Sequence, residues 1–394
     1  MSAVLPQIPV AKPFLGEEEA EATRRVILSG WVTQGPEVAA FEREFAEFVG
    51  TPHACAVSNC TTALHLALRA VGIGAGDEVI TVSHSFIATA NAVRYDGGIP
   101  VFVDIGSNGF NIDPDLIEAA VTPRTKAILC VHQLGMPCDL RRIIDIGRRL
   151  SIPVIEDAAC ASGSEILWEG EWQKIGRPHG DIACFSFHPR KVVTTGDGGM
   201  LTTANADYDR KFRLWRQHSM DVADTVRHGS RQVIYESYPE LGYNYRMTDM
   251  QAAVGRVQLT RLPALVARRR QLADLYTQSL AGIPWLETPA EPAWARTNWQ
   301  SYCVKLPPWL AQRDTMQVLL DRGISTRRGI MNSHREPAYA DPASHRVSGK
   351  LTHSVTAQEG AIVLPLFAQM SDDDVLFIAE VLRDMCSERR TATA

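Results

Sequence analysis

The chain has 394 residues, 45% hydrophobic and 22% charged, a composition that excludes extended disorder and low-complexity or collagen-like architecture and leaves room for a large core. Forty Lys and Arg against 45 Asp and Glu give a formal net charge of −5 and a pI near 6.1, so no global basic field exists to hold nucleic acid or an anionic membrane. No apolar run approaches the ~20 residues that span a bilayer, and MSAVLPQIPVAKPF lacks the basic and apolar regions of a leader, so the chain reads as cytoplasmic.

From residue 53 to about 205, short β-branched runs alternate with helical stretches, the signature of βαβ units on a largely parallel sheet. HACAV (53–57) reads as a strand and TTALHLALRAVG as a helix, with Ala63, Leu64, Ala67, Leu68 and Val71 at helical spacing; GDEVITV is the returning strand. FIATANAVRY predicts a helix, IPVFVDI a strand, and Asp113-Pro114 the start of a further helix with Asp as N-cap and Pro in its first turn. KAILCVH, the helix DLRRIIDIGRRL, IPVIED and DIACFSF complete the series. Strands apolar on both faces imply helices on both sides of the sheet. After GGMLTT (198–203) the chain turns helical, and Thr248 with Gln251 forms a capping box ahead of the helix TDMQAAVGRVQL.

The basic, largely helical stretch 261–280 reads as a connector. Beyond it, IPWLETPAEPAWARTN is loop-like, NWQSYCVKL reads as a strand, and DTMQVLLDRG and DDDVLFIAEVLRDM as amphipathic helices. At roughly 150 residues per domain the length predicts two domains, or one large domain with an appendage. We place a large α/β domain at 1–265, with an N-terminal segment able to pack on the second, and a connector helix with a small α+β domain at 266–394. The eight cysteines show no CxxC spacing and lie mostly in apolar runs, which predicts free buried thiols; the histidines show no metal-ligand spacing.

Chemistry concentrates at strand ends. GIGAGD (72–77) follows a helix and precedes a strand, the reverse of a dinucleotide loop, and reads as a turn. SNCTTAL (58–64) stands where a strand ends and a helix begins, so backbone N–H groups and Thr hydroxyls can face an anion; a plain N-cap at Ser58 or Asn59 is the alternative. Glu156-Asp157 closes an apolar strand where open α/β sheets place their ligand crevice, so one carboxylate faces the crevice unless Asp157 merely caps a helix. Only seven basic residues are Lys, and Lys191, in CFSFHPRKVVTTGDGGMLTT, sits between an apolar strand and a Gly-rich turn. An amine, a carboxylate and a phosphate-accepting helix start on one sheet are the parts that hold pyridoxal 5′-phosphate.

The strings SNCTTALHLAL, DEVITVSHSFIATANAV, VHQLGMPCDL, VIEDAACASGS, FSFHPRKVVTTGDGGM and GYNYRMTDMQAAVGRVQL resemble, in order, the signature blocks of the DegT/DnrJ/EryC1/StrS family of sugar aminotransferases, from WVTQGP near 31 to LPLFAQMSDDD near 372. The resemblance implies a fold-type-I α/β architecture, a mostly parallel sheet covered by helices plus a smaller C-terminal α+β domain. It also implies pyridoxal 5′-phosphate as cofactor, a homodimer with shared active sites, L-glutamate as donor and a nucleotide-linked keto-sugar as acceptor. By family frequency alone, the resemblance implies perosamine-type 4-amination of a 4-keto-6-deoxyhexose.

By position, Lys191 matches the Schiff-base lysine and Asp157 the carboxylate on the pyridine nitrogen. Thr61, Thr62 and Ser186 match the phosphate cup, Phe86 the stacking aromatic, and Asn244 the residue that reaches the neighbouring subunit's phosphate. Arg246 matches either an active-site cation or an interface ion-pair partner; Arg327, Arg328 and His334 fall where the family contacts substrate. The chain departs from the pattern at Cys60, often Gly, at Cys160, often a Gln that bonds the cofactor's phenolic oxygen, and at Ser162, commonly His. Two other readings share the scaffold. A sugar dehydratase is disfavoured by Lys191, which such relatives replace with His, and a non-catalytic sugar-responsive protein is disfavoured by the intact Lys191 and Asp157.

Overall fold

A computed structural model describes residues 7–222, 227 and 230–388, and the fold below is theirs. The strands in chain order are β1 (His53–Val57), β2 (Glu78–Val82), β3 (Ile99–Val103), β4 (Thr125–Val131), β5 (Val154–Asp157), β6 (Glu165–Trp168), β7 (Glu171–Lys174), β8 (Ile182–Ser186), β9 (Gly199–Thr203), β10 (Ala295–Arg296), β11 (Tyr302–Lys305), β12 (Arg327–Arg328), β13 (Arg346–Val347) and β14 (Ala361–Leu364). Eight of them form the central sheet, ordered β1-β9-β8-β5-β4-β2-β3-β13. All neighbours pair in parallel except those of β9, which runs against β1 and β8. Strand alternation sends successive side chains into two apolar cores: Ala54 and Ala56 of β1 enter one, Cys55 and Val57 the other.

The helices are α1 (Glu17–Ser29), α2 (Pro36–Val49), α3 (Cys60–Ala70), α4 (Ala88–Tyr95), α5 (Leu140–Leu150), α6 (Ala206–Trp215), α7 (Asp249–Leu280), α8 (Gln312–Asp321), α9 (Thr352–Gly360) and α10 (Asp372–Glu388). On one face of the sheet, Phe41 and Phe45 of α2 meet Phe185 and Phe187, with the Phe45 and Phe185 ring centroids 5.0 Å apart. On the other face lie α3 and Phe212 and Trp215 of α6. The capping box forms as expected: Thr248 Oγ1 accepts from the Gln251 N–H, and Gln251 Oε1 accepts from the Thr248 N–H at 3.0 Å. The helix it opens does not stop before the connector. It runs through Pro263 as one 32-residue helix, because the lost N–H and the ring clash of a single proline bend or weaken a well-packed helix without ending it.

The C-terminal half of α7 enters a further core, through Leu272, Tyr276 and Leu280, with β11, β14, α8 and α10. There β11, β14 and β12 form a three-stranded antiparallel sheet, and the N-terminal Ile8 bridges to Ile324. A second small sheet joins β10 to the hairpin β6-β7, whose turn residues Glu169 and Gly170 both have positive φ, as a two-residue hairpin turn of this hand demands.

Two further expectations need correction. At Asp113-Pro114 the cap forms, with Asp113 Oδ1 accepting from the Asp115 N–H at 3.0 Å. The segment then makes only two 3₁₀ turns, Pro114–Leu116 and Glu118–Ala120, before Val121 turns extended ahead of Pro123. In NWQSYCVKL the strand covers Tyr302–Lys305 alone, because Trp299 sits at φ +49°, off the β region. GIGAGD is a turn, with Gly72 and Gly76 left-handed at φ +87° and +83°. All eight cysteines are free and seven are buried. Among the described residues no helix is long and apolar enough to cross a membrane, and no His, Cys, Asp or Glu group is placed to hold a metal ion.

Candidate active site

The ends of adjacent strands bring the amine and the carboxylate together. β5 ends on Asp157, which pairs in register with Cys184 of β8; β8 ends on Ser186 and leads into the turn that carries Lys191. That turn is tied down locally. The Lys191 N–H donates to the His188 carbonyl at 2.8 Å, and Thr194 Oγ1 donates to the Phe187 carbonyl at 2.8 Å. Lys191 Nζ then donates to Cys160 Sγ at 3.1 Å. Burial works to lower the Lys191 amine, but its contact with the Cys160 sulfur and the nearby Asp157 carboxylate outweigh it and raise it above its ordinary value.

Alternation along β5 settles which carboxylate faces this amine. Glu156 points to the opposite side, where it accepts from His132 Nε2 at 3.0 Å and from the Gly180 N–H at 3.1 Å. The Cys138 N–H donates to His132 Nδ1, so the proton of that ring sits on Nε2 and the buried set is internally satisfied. Asp157, only 4% exposed, accepts from Thr89 Oγ1 at 2.7 Å and from the Ala159 N–H at 3.1 Å. Burial raises its carboxyl above the ordinary range, and Thr89, the Ala159 N–H and the Lys191 charge pull it back only part of the way. Asp157 is thus a buried carboxylate still short of a cation. Thr89 carried no motif signal; only its i, i+4 partner Ser85, whose hydroxyl lies 2.8 Å from that of Thr89, hints at a polar stripe on this helix entry.

At the start of α3, Asn59 Oδ1 accepts from the Thr62 N–H at 2.9 Å, and the Thr62 hydroxyl donates to the Asn59 carbonyl at 2.8 Å. The N–H groups of Cys60 and Thr61 have no partner among the described residues, so the plain N-cap forms and two N–H groups of the same turn stay open. Ser186 is brought alongside by Gly199, which pairs with both Ser186 and Val57. A Cβ on Gly199 would lie 2.5 Å from the Asn59 carbonyl, so only glycine allows this approach. Cys60 is buried against the Cys184 carbonyl at 3.5 Å, and burial pushes its thiol well up, which makes it a packing residue.

Other expected residues stand further out. Phe86 is 64% exposed at the entry to α4, where its carbonyl accepts from the Thr89 N–H, a large aromatic face left open beside Asp157's partner. Tyr243 and Tyr245 stack at 4.8 Å and are partly buried, and the intervening Asn244 is exposed on the opposite side without a side-chain hydrogen bond among the described residues. The Tyr245 carbonyl accepts from the Ser58 N–H at 2.8 Å, so this segment abuts the α3 start while presenting Asn244 outward. Arg246 is half-buried and has no ion-pair partner among the described residues. Arg327 and Arg328 are exposed on β12, with Arg328 3.4 Å from Glu336. His334 Nδ1 lies 2.6 Å from Ser83 Oγ, at the end of β2. The structure therefore joins Lys191, Cys160, Asp157, the α3 start and Ser186, and leaves Asn244, Arg246, Arg327, Arg328 and His334 around them.

Residues 13–383 match the DegT/DnrJ/EryC1/StrS aminotransferase family. Over 382 residues the chain is 38% identical to the spore coat polysaccharide biosynthesis protein SpsC of Bacillus subtilis (strain 168), covering 96% of this chain and 97% of that one. Among solved structures, DesI in the presence of its TDP-sugar product shares 29% identity at a TM-score of 0.87, over 100% of this chain and 96% of that one. Spr1654 of Streptococcus pneumoniae in its PLP-form shares 27% identity at a TM-score of 0.87, over 97% and 99% of the two chains.

Proposed function

This chain belongs to the DegT/DnrJ/EryC1/StrS aminotransferase family, and we propose that it moves an amino group from L-glutamate to a keto-sugar carried on a nucleotide, of the 4-keto-6-deoxyhexose (perosamine) type. One observation carries the reading: a lysine amine and an under-compensated buried carboxylate meet at adjacent strand ends, beside a helix start with unpaired N–H groups. This set fits pyridoxal 5′-phosphate. When bound, that cofactor supplies an aldehyde for the amino nitrogen and a protonated ring that takes up the electrons of the substrate's broken C–H bond. The match to DesI with its TDP-sugar product supports a nucleotide sugar, and the match to SpsC supports a polysaccharide-building role.

The chain's own groups divide the work. Lys191 Nζ would hold the cofactor through its aldehyde and, as a free amine once a substrate amine has taken its place, would move the proton at the substrate carbon; the Cys160 sulfur holds Nζ in place. Asp157 would keep the proton on the ring nitrogen, and Thr89 fixes the carboxylate's orientation. The Cys60 and Thr61 N–H groups, with the Thr61, Thr62 and Ser186 hydroxyls, would bind the phosphate, while Phe86 would cover the ring and shut out water. Arg246, Arg327, Arg328 and His334 supply cationic or donor groups for the diphosphate and the donor's carboxylates. A panel of nucleotide keto-sugars assayed with L-glutamate tests the proposal. At least one 4-keto-6-deoxyhexose nucleotide should give glutamate-dependent amino-sugar, and no product from any keto-sugar by a cofactor-loaded protein would refute it.

Asn244 is exposed and turned away from its own phosphate cup's backbone contact, which supports a site completed by a second copy of the chain. Lys191→Ala and Asn244→Ala are each expected to be poor enzymes. In a heterodimer of the two, one site receives both lesions and the other neither, so activity should return toward half of wild type. Demonstrated heterodimers without recovery would place Asn244 in its own subunit's site and end the shared-site reading.

A further inference from the structure

The segment 297–300 carries no residue assigned a role above, yet it touches both halves of the site. Its backbone is held from behind by α7. Arg269 Nε donates to the Trp299 carbonyl at 2.9 Å and its Nη2 to the Gln300 carbonyl at 2.8 Å; Arg270 Nε donates to the Thr297 carbonyl at 3.0 Å. Arg269 is buried, and burial brings its guanidinium down to about 10, so it remains a cation dedicated to two carbonyls. Between those anchors Trp299 is kept at φ +49°, a conformation a bulky residue adopts only when its surroundings impose it.

The two carboxamides of this segment face the site. Gln300 Oε1 accepts from the Val192 N–H at 3.0 Å, and Gln300 Nε2 donates to the Arg190 carbonyl at 2.6 Å, so one side chain grips the residues on either side of Lys191. Asn298 Nδ2 donates to the carbonyls of Cys160 and Ser162, both at 2.8 Å, and Asn298 Oδ1 accepts from the Gln300 N–H at 2.8 Å. Both side chains are buried, Asn298 fully. Gly135 makes the room, since a Cβ there would lie 2.0 Å from Asn298 Oδ1. One amide thus holds the backbone on either side of the lysine, the other holds the backbone of its sulfur partner, and the bond from the Gln300 backbone N–H to Asn298 Oδ1 ties the two residues together.

We propose that Asn298 and Gln300 are positioning residues that set the Lys191 amine against Cys160 and Asp157; this rests on Lys191 being the attachment site proposed above. An apolar side chain at 300 would leave the Val192 N–H and Arg190 carbonyl unpaired and free the lysine turn to shift, and a misplacement of about 1 Å can cost about 10²-fold in rate. Gln300→Leu removes both bonds, and Gln300→Glu keeps the acceptor for Val192 while losing the donor to Arg190.

The experiment measures three quantities: amide hydrogen exchange of peptides spanning 188–195 in the cofactor-free protein, the pH midpoint of the visible absorbance in the loaded protein, and kcat and KM for the amination. Gln300→Leu should speed exchange at Val192, move the midpoint by about one unit, and lower kcat about 10²-fold with KM little changed. Gln300→Glu should fall between it and wild type, and remains informative should the Leu variant fail to fold. Variants with a lower melting temperature but wild-type midpoint and kcat would overturn the positioning role. Recovery of reduced cofactor on a lysine other than Lys191 in the wild-type protein would instead overturn the functional reading, whatever the variants show.

Discussion

Lys191→Ala is expected to lower glutamate-dependent amination by at least about 10⁴-fold, because in the proposed function the amine both anchors the cofactor and carries the substrate proton. No other lysine can substitute. Lys191 alone stands on the turn after β8, with Nζ 3.1 Å from Cys160 Sγ and its charge acting on Asp157. Lys191→Arg separates charge from chemistry. It preserves a cation beside Cys160 and Asp157, but a guanidinium does not deprotonate near neutral pH and cannot serve as nucleophile or proton carrier, so Arg should be as inactive as Ala. Steady-state turnover with L-glutamate and an accepted keto-sugar checks both variants, and the Ala variant should still take up cofactor non-covalently through the α3 start. Activity within tenfold of wild type in either would remove Lys191 from the chemistry.

Asp157→Asn should cost about 10²–10⁴-fold in turnover without costing the cofactor-free protein stability. The carboxylate is buried and its folded-state pKa is raised chiefly by burial, so proton binding favours the native state at low pH and the charged group becomes a liability as pH rises through the raised value. Asn carries no such liability at neutral pH. Its Oδ1 can still accept from the Ala159 N–H, and the Thr89 hydroxyl can reverse to accept from Nδ2 while donating to Ser85. Melting curves of the cofactor-free proteins should therefore show the variant equal or more stable at pH 7, with the difference shrinking toward pH 4, while turnover collapses. A loss of stability in parallel with activity would mean that Asp157 supports the fold and not the ring nitrogen.

Much of the candidate site is legible in the sequence because the groups proposed to react sit at strand ends, where local pattern and position coincide. Lys191 follows an apolar strand and precedes a Gly-rich turn, and Asp157 closes another strand, so a reading of runs and breakers finds both. The choice between Glu156 and Asp157 needed the pleat, since adjacent residues on a strand face opposite ways. Asn59 and the Thr pair of α3 announce a helix start through residue type. What sequence could not disclose was how these parts are fixed. Thr89 meets Asp157 across 68 positions, Gln300 meets Val192 across 108, and Asn298 meets Cys160 across 138. None of these partners shares a local pattern. Trp299 shows the same limit from the backbone side: NWQSYCVKL has strand composition, but anchoring by Arg269 forces a left-handed residue into it and shortens the strand. Likewise TDMQAAVGRVQL and the stretch 261–280 read as a helix and a separate connector, and packing along both halves of α7 keeps them one helix across Pro263.

Covalent attachment at Lys191 is the claim on which the rest depends, and borohydride reduction of the purified, cofactor-loaded protein followed by peptide mapping tests it directly. The pyridoxyl group should be recovered on the single peptide containing Lys191, with the Lys191→Ala protein unlabelled. Recovery on Lys12, Lys126, Lys174, Lys211, Lys305 or Lys350, or labelling that survives in the Ala variant, would contradict the account.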